Sequence, residues 1–238
     1  MNELTVIGKK YGTDKAGPEH NYTEKVYYPI LKDVRYKKVK LLELGAGDTG
    51  ASAKMWREYL PNAEIYLFDP FFIVQKDVTI TQEELIKLNI TPIKGNQLDR
   101  SDLLKIIENC DEKFDIIIDD ASHISDGMQI SLATLLPHLN DDGLYIIEDL
   151  ITAIDRGSRL HEVNAWLDSP DVNKDEKIIY HKKEIHILES LSEFKKTGKW
   201  KSNVLIKEEK EYLENNIKKF ISFHDYSHFN NLVVIKKT

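Results

Sequence analysis

Four short, β-rich apolar runs recur along the chain with helical patterns between them, and this rhythm limits the fold more than any other feature. The runs are Val39–Leu44, Ile65–Asp69, Phe114–Asp119 and Leu144–Glu148. Three of the four end in an acidic residue. Runs this short and largely apolar read as strands buried on both faces. Amphipathic patterns lie between them. Ala51–Leu60 places Ala53, Trp56 and Leu60 on one face, Thr81–Leu88 opens with a Thr81/Glu84 capping box, and Leu103–Cys110 and Met128–Leu139 follow. Alternating strands and helices predict an α/β fold with a doubly wound, mostly parallel sheet and ligands at the carboxyl ends of its strands. Phe220–His224 and Leu232–Lys236 flank a polar turn and predict a C-terminal hairpin, adding an antiparallel strand at one edge.

The 238 residues show no repeat and no Pro/Gly-rich linker, so a single domain over 1–238 is expected. Within it, 1–35 is read as an N-terminal lid and 151–220 as a cap or insertion. Residues 161–220 carry twelve acidic and twelve basic side chains, so the acidic excess lies before them. The formal net charge of −7, with no basic block, argues against nucleic acid and against a polybasic membrane anchor. The opening MNELTVIGKKYG lacks the apolar core of a signal peptide, and no apolar run reaches the length of a membrane span. A lone cysteine, Cys110, excludes an internal disulfide and suits a reducing, cytoplasmic setting. The oligomeric state stays open, a homo-oligomer included.

The turn Gly45-Ala46-Gly47-Asp48-Thr49-Gly50 follows a strand and precedes a helix. An ordinary βα loop is the bland reading. Its spacing also matches a dinucleotide fingerprint, with Asp69 22 residues after Gly47, where a ribose-binding acid belongs. Glu43, two residues before the first glycine, discriminates. A carboxylate there would repel a pyrophosphate. The E-x-G-x-G pattern instead resembles the first motif of class I S-adenosylmethionine (SAM) methyltransferases, whose acid helps hold the cationic methionine end of SAM. Asp69 would then accept bonds from both ribose hydroxyls.

Asp119-Asp120-Ala121-Ser122-His123 closes one strand and Glu148-Asp149 the next. Adjacent strand ends open on one crevice, so Asp120, Glu148 and Asp149 can converge. A hard divalent cation would relieve their repulsion, and all-oxygen donors favour Mg²⁺, Ca²⁺ or Mn²⁺ over zinc. Strand-end acids that cap the next helix are the alternative. His123, three residues after Asp120, is the candidate general base.

Together, D-D-x-S-H, I-E-D-L, E-x-G-x-G and the opening Lys10-Tyr11-Gly12-Thr13-Asp14-Lys15 with His20 and Tyr22-Thr23 resemble the metal-dependent SAM O-methyltransferases that modify sugars, of the mycinamicin and macrocin type. The resemblance covers about residues 9–150 and the final hairpin. It implies a Rossmann-like methyltransferase fold and a sugar or sugar-containing acceptor. It implies Asp120, Glu148 and Asp149 on Mg²⁺, His123 as base and Asp119 facing the SAM amino group. Thr13 or Lys15 would lie near the SAM carboxylate, with Glu43, Gly45, Ala46, Gly47, Asp69 and Gln97 completing the cofactor contacts. Ala121 stands where the family usually has glycine, a departure that bears on the loop positioning His123. Arg156, Arg159, Tyr226 and His228 are expected to meet the acceptor. Alternatives are an NAD-dependent oxidoreductase, a non-catalytic SAM-binding protein, and another chemistry, such as hydroxylation, at the same metal site.

Overall fold

The computed structural model describes residues 1–18, 20–71, 80–150, 186–225 and 230–238. Among them seven strands form one sheet: β1 (Lys40–Leu44), β2 (Glu64–Asp69), β3 (Ile90–Lys94), β4 (Phe114–Asp119), β5 (Leu139–Ile147), β6 (Ile217–Asp225) and β7 (Asn230–Lys237). Their order is β3-β2-β1-β4-β5-β7-β6. The first five pair in parallel, and β7 runs antiparallel to both its neighbours. The hairpin is present, but the antiparallel strand is the inner of its two. The edge is β6, parallel to the core strands. Strand order reverses between β1 and β4, which opens a crevice at their carboxyl ends.

Side chains alternate across each strand. Leu42, Leu44, Phe114 and Ile117 join one core with α5 (Arg100–Glu108) and α6 (Ser125–Leu135). Leu41, Ile116 and Ile118 join another, with α1 (Glu3–Tyr11), α2 (Tyr28–Leu31, entered through a π-helical turn at Thr23–Tyr27), α3 (Ala51–Tyr59) and α4 (Gln82–Lys87). Trp56, Tyr27 and Phe114 are fully buried, each contributing about 1.5–3 kcal/mol or more. The Thr81/Glu84 capping box forms as expected, Glu84 N donating to Thr81 Oγ1 at 3.2 Å and Thr81 N to Glu84 Oε2 at 2.8 Å.

Some boundaries differ from the sequence reading. The helix expected over Met128–Leu139 starts at Ser125 and ends at Leu135, because Pro137 lacks the N–H an α-helix interior needs and a 3₁₀ turn (Leu136–His138) takes over. β5 then begins at Leu139 rather than Leu144. β3 escaped the sequence reading, since Ile-Thr-Pro-Ile-Lys carries a proline, and it is tolerated because β3 is an edge.

Within the N-terminal stretch, the helical turns among residues 1–18 and 20–35 pack on the sheet, burying Leu4, Val26 and Leu31. Of the stretch 151–220, residues 151–185 lie outside the described residues. The rest forms α7 (Ile187–Thr197) and α8 (Lys207–Asn216) and then opens β6. α7 is tied to α6 by Ile187 N donating to Ser125 Oγ at 2.7 Å. α8 is tied to α5 by the Arg100 guanidinium on Glu209, at 2.7 and 2.9 Å. None of the described helices is long and apolar enough to cross a membrane.

Candidate active site

Three strand ends meet at the crevice. Asp120 N donates to Leu44 O and Glu148 N to Asp119 O, each at 3.0 Å, so the exits of β1, β4 and β5 are stapled side by side. Gly45 makes this possible. Its φ is +96°, and a Cβ there would lie 2.1 Å from the Asp120 carbonyl oxygen. Gly47 is the opposite case. Its φ is +55°, and nothing lies within 4 Å of where its Cβ would be. The glycine turn therefore closes against β4 at Gly45 and offers an open face at Gly47. Asp69 sits at the rim, accepting from Ala46 N at 2.8 Å and Phe71 N at 2.5 Å. Each oxygen uses one of its two lone pairs in this way, so the carboxylate can accept two more bonds.

Glu43 lies beneath the turn, fully buried. Its Oε1 accepts from Trp56 Nε1 at 3.0 Å, and its Oε2 has no hydrogen-bond partner. Burial raises its pKa to about 7, against the opposing pull of Lys15 and Trp56.

The adjacent acids Asp119 and Asp120 separate to opposite faces, as strand alternation requires. Asp119, expected to face SAM, turns inward to α6. It accepts from Gln97 Nε2 at 2.6 Å, Ser131 Oγ at 2.5 Å and Tyr145 OH at 3.2 Å. Burial lifts its pKa to about 7 despite these bonds. Gln97, expected on the cofactor, is buried as well. Its Oε1 accepts from Ser122 N at 3.1 Å and Ser122 Oγ at 2.6 Å, which pins the loop carrying His123. Ala121 is absent from the positive-φ residues, so its methyl brings no backbone strain to that loop.

Asp120 turns to the N-terminal segment. Its Oδ2 accepts from Lys15 Nζ, and Lys15 also donates to Glu148 Oε2 at 3.0 Å. Lys15 or Thr13 was expected near the SAM carboxylate; Lys15 is buried among protein carboxylates, with Asp120 and Glu148 as its partners. Burial works against its charge, yet Asp120, Glu148 and Glu43 outweigh this and hold its pKa well above the ordinary lysine value. Thr13, just before that turn, is buried, with its hydroxyl 3.4 Å from Asp14 Oδ1. Glu148 Oε1 accepts from Tyr27 OH. Burial, reinforced by Asp120 and Asp149, pushes the Glu148 carboxyl well above the usual carboxylate range against the pull of Lys15 and Tyr27. We read it as a carboxylate, since both oxygens accept hydrogen bonds.

On the other edge of Asp120, its Oδ1 lies 3.8 Å from His123 Nε2, which is 4.0 Å from Asp149 Oδ2. One donor atom from each of Asp120, His123 and Asp149 fits within a 4.8 Å cluster able to hold a metal ion. Glu148, expected as the third ligand, is not in that cluster; Lys15 and Tyr27 engage both its oxygens. His123 and Asp149 both carry positive φ, +52° and +54°. Such conformations cost about 1–3 kcal/mol each and collect at functional sites. His123 Nδ1 is buried without a hydrogen-bond partner.

Sequence reasoning gave no role to three residues that reach this centre. Tyr22 OH donates to Asp149 Oδ1 at 3.1 Å, His20 Nδ1 is 3.7 Å from the same oxygen, and Tyr27 holds Glu148. His20 and Tyr22 stood within the recognised motif; Tyr27 carried no signal. Arg156, Arg159, Tyr226 and His228 lie outside the described residues.

The architecture and the sequence have known counterparts. At 34% identity over 157 residues, the chain is similar to the mycinamicin VI 2''-O-methyltransferase of Micromonospora griseorubida, matching 63% of this chain and 37% of that protein. It is also 34% identical over 159 residues to the demethylmacrocin O-methyltransferase of Streptomyces fradiae, matching 64% of this chain and 37% of that one. The chain thus spans well under half the length of the curated relatives it matches. The MycE methyltransferase of the mycinamycin pathway, solved with Mg, SAH and mycinamycin VI, superposes with a TM-score of 0.68 at 27% identity, covering 99% of this chain and 54% of that one. The fold is that of the SAM methyltransferases. The O-methyltransferase TomG of Streptomyces achromogenes, solved with SAM, shares this methyltransferase fold at 11% identity, with a TM-score of 0.53 and coverage of 100% and 91%. No family model matches the chain.

Proposed function

We propose that the chain is a SAM-dependent O-methyltransferase acting on a sugar hydroxyl of a small glycoside in the cytoplasm, with a divalent cation, Mg²⁺ by preference, at Asp120 and Asp149. The observation that carries this reading is the Asp120–His123–Asp149 cluster at the strand ends against which the glycine turn closes at Gly45. The similarity to glycoside O-methyltransferases points to the same acceptor class. The donors suit the metal: the carboxylate oxygens of Asp120 and Asp149 are hard ligands that favour Mg²⁺ or Mn²⁺, and His123 beside them is kept for the proton. The crevice suits SAM, with space over Gly47, spare acceptor capacity on Asp69 and the acid Glu43 beneath the turn.

When bound, SAM would supply an electrophilic methyl and the cation a Lewis acidity that lowers the pKa of an alcohol far below its free value. The rest falls to the protein. Asp69 receives the ribose hydroxyls, and the Gly45–Gly47 backbone admits the cofactor against β1. Asp120 and Asp149 would hold the cation, with Glu148 joined to Asp120 through Lys15. His123 takes the proton of the acceptor hydroxyl as oxygen bonds to the methyl carbon and the carbon–sulfur bond breaks, leaving S-adenosylhomocysteine. Fixing hydroxyl and cofactor in line supplies much of the rate.

The test is a thermal-shift series with SAM, S-adenosylhomocysteine and NAD⁺, each with Mg²⁺ or EDTA. The first two should raise the melting temperature and NAD⁺ should not; a shift with NAD⁺ alone would replace this reading by a dinucleotide one. Gly47→Val fills the open space, so calorimetry should show SAM binding weakened about tenfold or more in a folded protein. Unchanged affinity would move the cofactor away from this turn.

A further inference from the structure

The acidic centre already contains a cation, and it is part of the chain. Lys15 is 1% exposed and sits on a short 3₁₀ turn (Asp14–Ala16) held against α1 by Thr13 N donating to Gly8 O at 3.2 Å. Its ammonium bridges Asp120 Oδ2 and Glu148 Oε2. The candidate metal cluster uses the opposite side of Asp120, where Oδ1 faces His123 Nε2. Asp120 is therefore shared: one oxygen belongs to a buried lysine, the other to an exchangeable site. A cation between Asp120 and Asp149 need not displace Lys15.

Buried carboxylates without counter-charge repel each other and resist folding. A protein relying on the metal alone to offset that repulsion would assemble this centre only when loaded. We propose that Lys15 is a resident counter-cation, keeping the acidic centre assembled before the divalent cation arrives and limiting how tightly that cation is then held. Two positive charges that share one carboxylate repel each other, so the lysine weakens the metal it makes room for. This positioning role rests on the metal reading above. It differs from a merely structural role, which would stabilise the metal-free and metal-loaded protein equally.

The test compares the full chain with Lys15→Met and with the double variant Lys15→Met/Glu148→Gln. Each is stripped with EDTA, titrated with Mn²⁺ and followed by the paramagnetic resonance of free Mn²⁺. Each is then melted with and without Mg²⁺. Lys15→Met should melt lower without metal, bind Mn²⁺ about tenfold tighter and gain a larger rise in melting temperature from Mg²⁺ than the wild type. The double variant removes one charge of each sign and should recover metal-free melting temperature relative to Lys15→Met. If Lys15→Met folds only with Mg²⁺ present, the inference holds in its strongest form. If Lys15→Met is destabilised equally with and without Mg²⁺ and binds Mn²⁺ no tighter, the inference is overturned. A double variant that recovers nothing overturns it too. A wild-type protein that binds no Mn²⁺ contradicts the metal reading itself, before any variant is compared.

Discussion

Replacing Gly45 with alanine should remove a large part of the protein's stability while leaving every charged group in place. The added Cβ would meet the Asp120 carbonyl at 2.1 Å, and the residue would have to hold φ at +96°. Backbone strain and overpacking each cost about 1–3 kcal/mol, and neither neighbour is a flexible side chain that can move aside. A loss on the order of 3–5 kcal/mol is expected from denaturant titration, against a total that is seldom above about 15 kcal/mol. Gly47→Ala, two residues on, meets nothing within 4 Å and should cost only the strain of its positive φ, about 1 kcal/mol. Equal losses at the two positions would mean that β1 and β4 do not approach as described.

His123→Ala should lower turnover by about 10²–10⁴, the usual worth of a positioned acid–base group, with SAM affinity unchanged. The side chain stands beside Asp120 and Asp149, and its loop is held by Ser122 on Gln97 rather than by the imidazole, so removing the ring should leave the loop in place. Steady-state rates with calorimetry of SAM binding would decide it. A variant that keeps the wild-type rate would move the proton acceptor elsewhere, His20 being the other imidazole beside Asp149.

The sheet was legible because its strands are buried on both faces and spell out unbroken apolar runs. β3 was not, being a proline-bearing edge; nor were the N-terminal helices, α7 and α8, whose apolar faces are diluted by charge. The glycine turn and the strand-end acids could be read because chain position alone places them at the carboxyl end of a parallel sheet. Their division of labour could not. That Asp119 turns to α6 while Asp120 turns to Lys15 follows from strand alternation, but which face carries the site depends on what packs there. Likewise Lys15 lies 105 residues from Asp120, and no local pattern reveals a pair so far apart in the chain. Gln97 and Asp119, read as cofactor contacts, are joined to each other in the interior. From there they hold the site's walls.

The account stands on metal-dependent methyl transfer from SAM to a glycoside hydroxyl. The most direct measurement incubates the protein with SAM and a panel of macrolide and aromatic glycosides, with Mg²⁺, with EDTA, and with EDTA followed by excess Mg²⁺. Products are weighed by mass spectrometry. An acceptor should gain the mass of one methyl group on its sugar while an equal amount of S-adenosylhomocysteine appears. That transfer should stop in EDTA and return with Mg²⁺. Methylation that proceeds undiminished in EDTA, or that lands off the sugar, would contradict it.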